Sequence, residues 1–318
     1  MRVFVAGGAG EVGVRLVPQL VARGHQVVAT TRSPGKVERL RELGAEPVVV
    51  DGLDAAAVGE AVARAEPDAI VHQMTALGGK INLRKFDQWF AVTNRLRTVG
   101  TQNLLAAAKA TGVRKLVVQS YTGWSNIQSG GPVKTEADPF DPHPAKAQTE
   151  TIAALRFLDE VVPAADGVEG IVLRYGNFYG PGASDSQLEV VRKRQFPIVG
   201  DGGGVWSWIQ IEDAAAAAVA AVERGRRGVY NIVDDEPARV SEWLPYLAKV
   251  IGAKPPMRVP VWLGRLLAGE VVVRWLTQGR GASNEKAKRE LGWQPTWSTW
   301  REGFRYALVA DPAVRPSA

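Results

Sequence analysis

The chain has 318 residues, 46% of them hydrophobic, which suits one large α/β domain or two smaller ones and permits a sizeable core. Its formal charge of +6 comes from 39 basic and 33 acidic residues scattered along the chain, so nucleic acid is not an expected partner. The lack of cysteine excludes disulfides and thiolate nucleophiles and favours the cytoplasm, and the short apolar run at residues 1–6 predicts neither a signal peptide nor a membrane span.

Short β-branched runs alternate with helical segments in the first 175 residues. They are VFVA (3–6), QVVAT (26–30), PVVV (47–50), AIVH (69–72), KLVVQ (115–119) and GIVLRY (170–175). Such continuous apolar runs are typical of parallel strands that are buried on both faces. Together with right-handed crossovers they predict an α/β fold with a doubly wound parallel sheet. The alanine-rich stretch at 213–225 predicts a further helix.

The first predicted strand leads into GGAGEVG, where Gly7, Gly10 and Gly13 have the spacing G-x-x-G-x-x-G and a helix follows at once. Glycine there allows a tight turn and lets the backbone approach a pyrophosphate at the helix N-terminus. In a strand, turn and helix that open a six-strand alternation, this spacing predicts dinucleotide binding. Glu11 would repel bound phosphates unless its side chain points outward.

The end of the second strand bears on the choice between NAD and NADP. A carboxylate there would bind the ribose 2′-hydroxyl, whereas a cation would pair with a 2′-phosphate. The chain has no acid at this place but has Arg32, with Ser33 and Lys36 close behind, so we expect NADP, with NAD as second choice. Asp51, after the third strand, is placed either to bind the adenine amino group or to cap the next helix.

Nine motifs in order resemble the extended short-chain dehydrogenases/reductases, in their epimerase/dehydratase branch, over nearly the whole chain. They are GGAGEVG, DGLD (51–54), VHQMTA (71–76), the helix VTNRLRTVGTQNLLAAAKATGV, LRYGNFYGPG (173–182), PIVGDGG (197–203), WIQIEDAAAA (208–217), VYNIVDDEP (229–237) and KRELGWQP (288–295). The resemblance implies a Rossmann domain over residues 1–176 and a smaller, partly interleaved substrate-binding portion over 177–318.

The resemblance also implies which residues contact the cofactor, in addition to Arg32, Ser33 and Asp51. They are Gly7, Gly10, Glu11, Val12, Gly13, Gly52, Gln73, Met74, Thr75, Lys146 and Tyr175. No metal site is expected.

The family's chemistry rests on a serine or threonine after the fifth strand and on a Tyr-x-x-x-Lys pair, in which the lysine lowers the phenol pKa. Here the lysine is Lys146, but Pro142 stands at the tyrosine position. Because Pro142 and Pro144 both constrain the backbone, we expect the helix to start near Pro144 and the usual turn before the lysine to be absent.

Three residues are candidates for the missing proton donor. We favour Tyr121, which follows Ser120 at the carboxyl end of a central strand, with Lys146 mainly holding the cofactor. A buried aromatic with one hydrogen bond is the alternative for Tyr121. His143 and Tyr179 are the other candidates, but His143 is expected in a surface loop and Tyr179 in packing.

We therefore expect an NADP-dependent oxidoreductase or epimerase/dehydratase-type enzyme that acts on a carbonyl or carbinol small molecule, such as a sugar or nucleotide sugar. The alternative is a catalytically silent NADP-binding sensor, because loss of the tyrosine is what such a protein would show. Arg192 or Arg194 could bind a diphosphate, and Trp206, Trp208 and Trp262 could form a pocket wall or fill the core. The sequence leaves a homodimer open and predicts no membrane partner.

Overall fold

The computed structural model describes residues 1–77 and 83–308, so that residues 309–318 of the predicted C-terminal portion lie outside the described part. In chain order the strands are β1 Arg2–Ala6, β2 Gln26–Thr31, β3 Glu46–Val49, β4 Ala69–His72, β5 Lys115–Tyr121, β6 Val133–Lys134, β7 Glu169–Tyr175, β8 Asn177–Tyr179, β9 Ile198–Val199, β10 Val205–Trp206, β11 Trp208–Gln210, β12 Gly228–Ile232, β13 Ala238–Arg239, β14 Arg258–Val259 and β15 Gly281–Ala282.

The helices are α1 Gly13–Ala22, α2 Val37–Glu42, α3 Ala55–Ala65, α4 Phe86–Arg95, α5 Thr101–Thr111, α6 Thr149–Val161, α7 Asp185–Arg192, α8 Ile211–Arg224, α9 Val240–Val250, α10 Val261–Ala268, α11 Glu270–Gln278, α12 Glu285–Leu291 and α13 Trp300–Ala307. A π-helical turn, Leu96–Gly100, joins α4 to α5, and a 3-10 turn, Lys146–Gln148, precedes α6. Among the described residues, no helix is long and apolar enough to cross a membrane.

Seven parallel strands form the central sheet in the order β12-β7-β5-β4-β1-β2-β3. All six predicted strands are confirmed as β1 to β5 and β7, and the predicted alanine-rich helix is α8. The seventh strand, β12, was not among the six predicted strands. It comes from beyond residue 176, as a partly interleaved C-terminal portion implies, and pairs with β7 at the edge of the sheet. The doubly wound α/β fold is therefore confirmed, with one more strand than expected.

Helices cover both faces of this sheet, as buried parallel strands require. One face packs against α1 and the alanine-rich α8, and the other packs against α3, α5 and α6. Because adjacent residues of a strand point to opposite faces, the alternating side chains of β5 contribute to both layers, Val117 to the first and Val118 to the second.

The remaining C-terminal segments surround a separate aromatic core. Trp206, Trp208, Trp243 and Trp300 are all fully buried there. Trp206 stacks on Trp275 with ring centroids 4.0 Å apart. Trp206 and Trp208 are thus core residues, while Trp262 on α10 is 67% exposed. The core alternative therefore holds for Trp206 and Trp208 and not for Trp262.

Candidate active site

The glycine turn after β1 is packed so tightly that side chains could not fit. Gly7 has φ +89°, and a Cβ there would lie 2.8 Å from the backbone nitrogen of Met74. A Cβ on Gly13 would lie 2.5 Å from the carbonyl oxygen of Gly7, so α1 begins directly against the turn. Gly10 donates its N–H to the same carbonyl at 3.1 Å. This close turn at a helix N-terminus fits the pyrophosphate of a dinucleotide.

The side chain of Glu11 is directed into an ion pair. It lies 3.2 Å from Arg15, whose guanidinium also donates to the carbonyl oxygen of Pro181. A Cβ on Gly182 would lie 3.1 Å from the Glu11 carboxylate. Glu11 therefore joins the glycine turn to the segment after β8, and its charge is compensated by Arg15.

Cations stand at the end of β2. Arg32 is exposed, and no ion pair engages it within the described ranges. The Lys36 Nζ lies 3.4 Å from the carbonyl oxygen of Ala9 in the glycine turn. Ser33 is also exposed and donates its backbone N–H to the Thr31 hydroxyl at 3.1 Å. These side chains leave positive charge beside the turn that would hold phosphates.

The residues after β3 form a turn against β4. Asp51 is exposed, and its carboxylate accepts the N–H of Leu53 at 3.0 Å. The cap of α3 is Asp54, which accepts the N–H of Ala57 at 3.0 Å. Gly52 is buried, and a Cβ there would lie 2.3 Å from the sulfur of Met74. Asp54, and not Asp51, therefore caps α3, and the Asp51 carboxylate remains at the surface.

His72 orders the end of β4, a role that the sequence did not reveal. Its Nδ1 accepts the N–H of Met74 at 3.1 Å, and its Nε2 lies 3.0 Å from the carbonyl oxygen of Leu96. Both bonds are satisfied by the neutral ring with its proton on Nε2. Burial is the main reason that its pKa falls to about 4, followed by the charge of Arg97.

A buried hydrogen bond joins the ends of β4 and β7. Gln73 donates its amide to the phenol oxygen of Tyr175 at 3.0 Å. Burial raises the pKa of Tyr175 above its ordinary value. Met74 is half-buried and Thr75 is exposed, so Thr75 lies at the outer rim of this edge.

The segment where the tyrosine would stand is not helical. α6 begins at Thr149, so the prediction of a start near Pro144 is wrong. The Asp87 carboxylate explains the late start, since it accepts the N–H groups of Glu150 at 3.1 Å and Thr151 at 2.9 Å and so caps the helix there. Lys146 lies in the preceding 3-10 turn and is exposed. The helical turn that would align a tyrosine with this lysine is absent, as expected.

The C-terminal portion holds this segment in place. Arg274 on α11 pairs with the Asp141 carboxylate at 2.9 Å and donates to the carbonyl oxygen of His143 at 3.0 Å. The Asp141 side chain is 9% exposed and that of Arg274 is 19% exposed. His143 itself is exposed, as predicted for a surface loop.

The phenol of Tyr121 is engaged by its surroundings. It donates to the Asn177 side-chain oxygen at 3.1 Å, and Asn177 in turn donates to the carbonyl oxygen of Ser207. The Tyr121 ring stacks on Trp124 with centroids 4.7 Å apart. Burial raises the pKa of Tyr121 well above its ordinary value, so the phenol keeps its proton near neutral pH.

Ser120 and Tyr121 are successive residues at the end of β5 and have different neighbours on β7. Ser120 is paired with Arg174, which binds Asp159 of α6, whereas Tyr121 is paired with Tyr175. The Ser120 hydroxyl is buried and has no hydrogen-bond partner among the described residues. Lys146 is exposed, and no described hydrogen bond links it to Tyr121 or Ser120.

Two further groups of candidates lie away from this site. Tyr179 is fully buried and packs edge-on against Phe304 in the C-terminal core, which agrees with a packing role. Arg192 is exposed at the end of α7, and Arg194 donates to the carbonyl oxygen of Pro255 at 3.1 Å.

Comparison with known proteins gives consistent matches over the whole fold. The sequence profile of the NAD dependent epimerase/dehydratase family matches residues 3–233. A 3-diazoavenalumate denitrifying reductase from Streptomyces sp is 41% identical over 311 residues, covering 96% of this chain and 99% of that protein. A 2-alkyl-3-oxoalkanoate reductase from Stenotrophomonas maltophilia is 29% identical over 347 residues, covering 98% of this chain and all of that protein.

Solved structures include the UDP-glucose 4-epimerase of Thermus thermophilus in complex with NAD. It is 26% identical, with a TM-score of 0.71, and the match covers 97% of this chain and 98% of that one.

Proposed function

Because the chain belongs to the NAD dependent epimerase/dehydratase family of extended short-chain dehydrogenases/reductases, we propose that it is a reductase whose hydride acceptor needs no proton from a tyrosine–lysine pair. It is an enzyme of this family that uses a nicotinamide cofactor and a small-molecule substrate. The observation that carries the proposal is the segment before α6, where a proline, Pro142, stands four residues before Lys146 and Lys146 lies exposed in a 3-10 turn.

The remaining candidate phenol is poorly suited to proton transfer. Tyr121 uses its only hydrogen to bind Asn177, and burial raises its pKa instead of lowering it. A general acid or base works best with a pKa near the operating pH. A carbonyl or carbinol substrate would need such a group, whereas a substrate whose leaving group carries off the bonding electrons would not.

The 41% identical relative is named for such a substrate, a diazo compound, and for reductive loss of nitrogen. We propose the same reaction type here. A nicotinamide cofactor, when bound, would supply the hydride. In the diazonium form of the substrate, the carbon gains one C–H bond, its C–N bond breaks, and dinitrogen leaves with the electrons of that bond. No alkoxide forms, so no phenol proton is required.

The chain's own residues would position such a substrate. Trp124 stacks on Tyr121 and meets Phe86 edge-on with centroids 5.0 Å apart, which offers an aromatic surface beside the end of β5. The bond between Tyr121 and Asn177 fixes this surface. We expect it to stack on a flat substrate and to exclude water from the reacting carbon.

We further propose that the preferred cofactor is NADP(H). Arg32 is exposed at the end of β2 without a described ion pair, and Lys36 reaches over the glycine turn. A guanidinium can bind a 2′-phosphate through two parallel bonds, while no carboxylate stands at this place to bind a 2′-hydroxyl.

Carbonyl reduction with Tyr121 as proton donor is the second candidate, because its phenol lies at the carboxyl end of β5 and the Stenotrophomonas relative is named as an oxoalkanoate reductase. This reaction would require the phenol to give up its bond to Asn177.

The test compares an aryl diazonium carboxylate with the matching aryl ketone, each incubated with NADPH that carries deuterium in its transferable position. We expect cofactor oxidation, dinitrogen release and deuterium on the aryl carbon with the first compound and no turnover of the second. The Tyr121→Phe variant should keep most of the diazonium activity, since no phenol proton is used.

Ketone reduction without diazonium turnover would refute the proposal. Support for the second candidate would be a loss of ketone reduction on the order of 10² to 10⁴ in Tyr121→Phe. If the protein binds NADPH but turns over neither compound, a sensor is the better account.

A further inference from the structure

Arg97 is a buried cation without a described counter-charge. It lies in the π-helical turn between α4 and α5 and is 3% exposed. Its Nε and Nη1 atoms have no hydrogen-bond partner within residues 1–77 and 83–308. The guanidinium lies over the ring of Phe90 at 5.6 Å, and burial lowers its pKa to about 10. A charge kept in a protein interior normally has an ionic partner, because its desolvation is costly.

Other buried polar atoms without a partner lie on the helices that contact the π-helical turn and on elements that contact those helices in turn. Asn94 and Thr101 fall on nearly the same side of the continuous helical run as Arg97, and Asn94 donates to Thr151 of α6. Gln148 is three residues before Thr151, and Ser120 faces α6 from β5. Each of the four has one buried atom without a partner: Asn94 Oδ1, Thr101 Oγ1, Gln148 Nε2 and Ser120 Oγ.

This set has more donors than acceptors. Arg97 and Gln148 together leave three donor nitrogens unused, and the hydroxyls of Thr101 and Ser120 can donate as well, whereas Asn94 supplies the one obligate acceptor. Buried water could satisfy individual groups, but it cannot neutralise a guanidinium. The complementary partner is therefore an anion with several acceptor oxygens, such as a carboxylate.

The position of Arg97 connects this set with the proposed substrate surface. Its charge acts on His72 at the carboxyl end of β4, the edge where ligands bind in doubly wound sheets. Phe90, which lies under the guanidinium, is 6.1 Å from Trp124, and Trp124 stacks on Tyr121. An aromatic ring stacked on Trp124 would thus lie near a cation, because only Phe90 separates Trp124 from the Arg97 guanidinium.

We propose that Arg97 binds a carboxylate of the substrate, so that the enzyme acts on aromatic acids. The inference rests on the proposed reductase function only in that the acid is taken to be the hydride acceptor. Arg97 would then set substrate specificity without taking part in hydride transfer.

The experiment measures binding, not turnover, with NADP⁺ present. Benzoate, phenylacetate and cinnamate are each compared with their uncharged amides by calorimetry. We expect at least one acid to bind the wild-type protein about tenfold to a hundredfold more tightly than its amide, as for a hydrogen-bonded charge pair. In Arg97→Met this preference should disappear. Arg95→Met, which removes an exposed charge from the same helical run, should retain it.

Thermal melting without any acid separates binding from a structural role. Arg97→Met should melt at the wild-type temperature or higher, because it removes a buried charge that lacks a partner. A lower melting temperature would mean that the guanidinium has a structural partner and would overturn the proposal. Equal affinity of the acids and amides for wild type, or a preference kept by Arg97→Met, would do the same.

Inorganic phosphate is tested last, as a competitor of the aromatic acids. If it competes for Arg97 as well as the aromatic acids do, the site is one for free anions, and substrate recognition is refuted. Failure of diazonium turnover, by contrast, would leave the acid-over-amide preference intact and would count only against the proposed reaction.

Discussion

At the scale of single residues, His72 makes the stability of the fold depend on pH. Its pKa is about 4 in the folded protein and 6.5 when unperturbed, so the unfolded chain takes up the proton first as pH falls. The stability that the neutral ring contributes is complete above about pH 6.5 and is lost as pH falls towards 4. The loss from this one group amounts to about 3 kcal/mol.

We expect His72→Gln, which keeps a donor and an acceptor but cannot be protonated, to show a flatter stability profile over this pH range. The measurement is urea unfolding at several pH values for both proteins. Parallel profiles would mean that His72 is protonated in the folded state without penalty.

Arg32 carries the expected cofactor preference. Arg32→Ala should weaken NADP(H) binding by about 1.5 kcal/mol, or roughly tenfold, with little change in NAD(H) binding, because one charge-assisted contact to the extra phosphate is removed. Cofactor titration by fluorescence would measure both affinities. Arg41→Ala is a suitable control, since Arg41 is also exposed but pairs with Glu38. An unchanged preference in Arg32→Ala would rule out its role.

Residues of the glycine turn were predictable because their spacing is local and a side chain in the tight turn would clash with the backbone. His72 and Asp87 were not, because their roles depend on partners in other elements: Leu96 for His72 and the start of α6 for Asp87. No spacing within the sequence reports such contacts.

The segment before α6 lacks the helical turn that a Tyr-x-x-x-Lys pair would need. Pro142→Tyr would restore the Tyr-x-x-x-Lys pattern in sequence, but the α-helix starts only at Thr149. The phenol and Lys146 would therefore not face each other across a helical turn. We expect this variant to gain no ketone reduction in an NADPH oxidation assay, and a clear gain would mean that the segment refolds into a helix.

Arg274 should control the order of this same segment. Arg274→Met leaves the Asp141 carboxylate without its partner and the His143 carbonyl without its donor, at a cost of about 2 kcal/mol. Amides of residues 145–148 should then exchange hydrogen faster, as measured by mass spectrometry. Arg265→Met breaks an exposed pair with Glu270 on the neighbouring helices and should cost less than about 0.5 kcal/mol. Equal effects of the two changes would contradict a specific clamp.

At the scale of elements, the six predicted strands share long apolar runs set between helical segments, and that pattern identified them. β12 lacks this context: its short run GVYNI lies among small C-terminal segments, and only its pairing with β7 makes it part of the main sheet. The start of α6 was likewise predicted too early, since a proline shows where a helix cannot run but not where a distant carboxylate caps it.

For the whole molecule, the two predicted portions share one sheet. Residues 1–176 alone would lack β12 beside β7 and would lack α8, whose alanine-rich surface packs with α1. We expect this fragment to be insoluble or unfolded when expressed alone and to be recovered in soluble form when residues 177–318 are expressed with it. Circular dichroism and gel filtration would test this, and a stable isolated fragment would show that the first portion folds independently.

The place of β12 also affects how the chain is made on the ribosome. β7 leaves the ribosome with an open strand edge, and the strand that covers it is synthesised only after all of β8 to β11 and α8. At a synthesis rate of ~5–20 residues per second, the edge of β7 stays unpaired for several seconds. During that time it can pair with another nascent chain, as exposed edges tend to do. Slow codons within this stretch should therefore increase aggregation in the cell without changing a single residue of the finished enzyme.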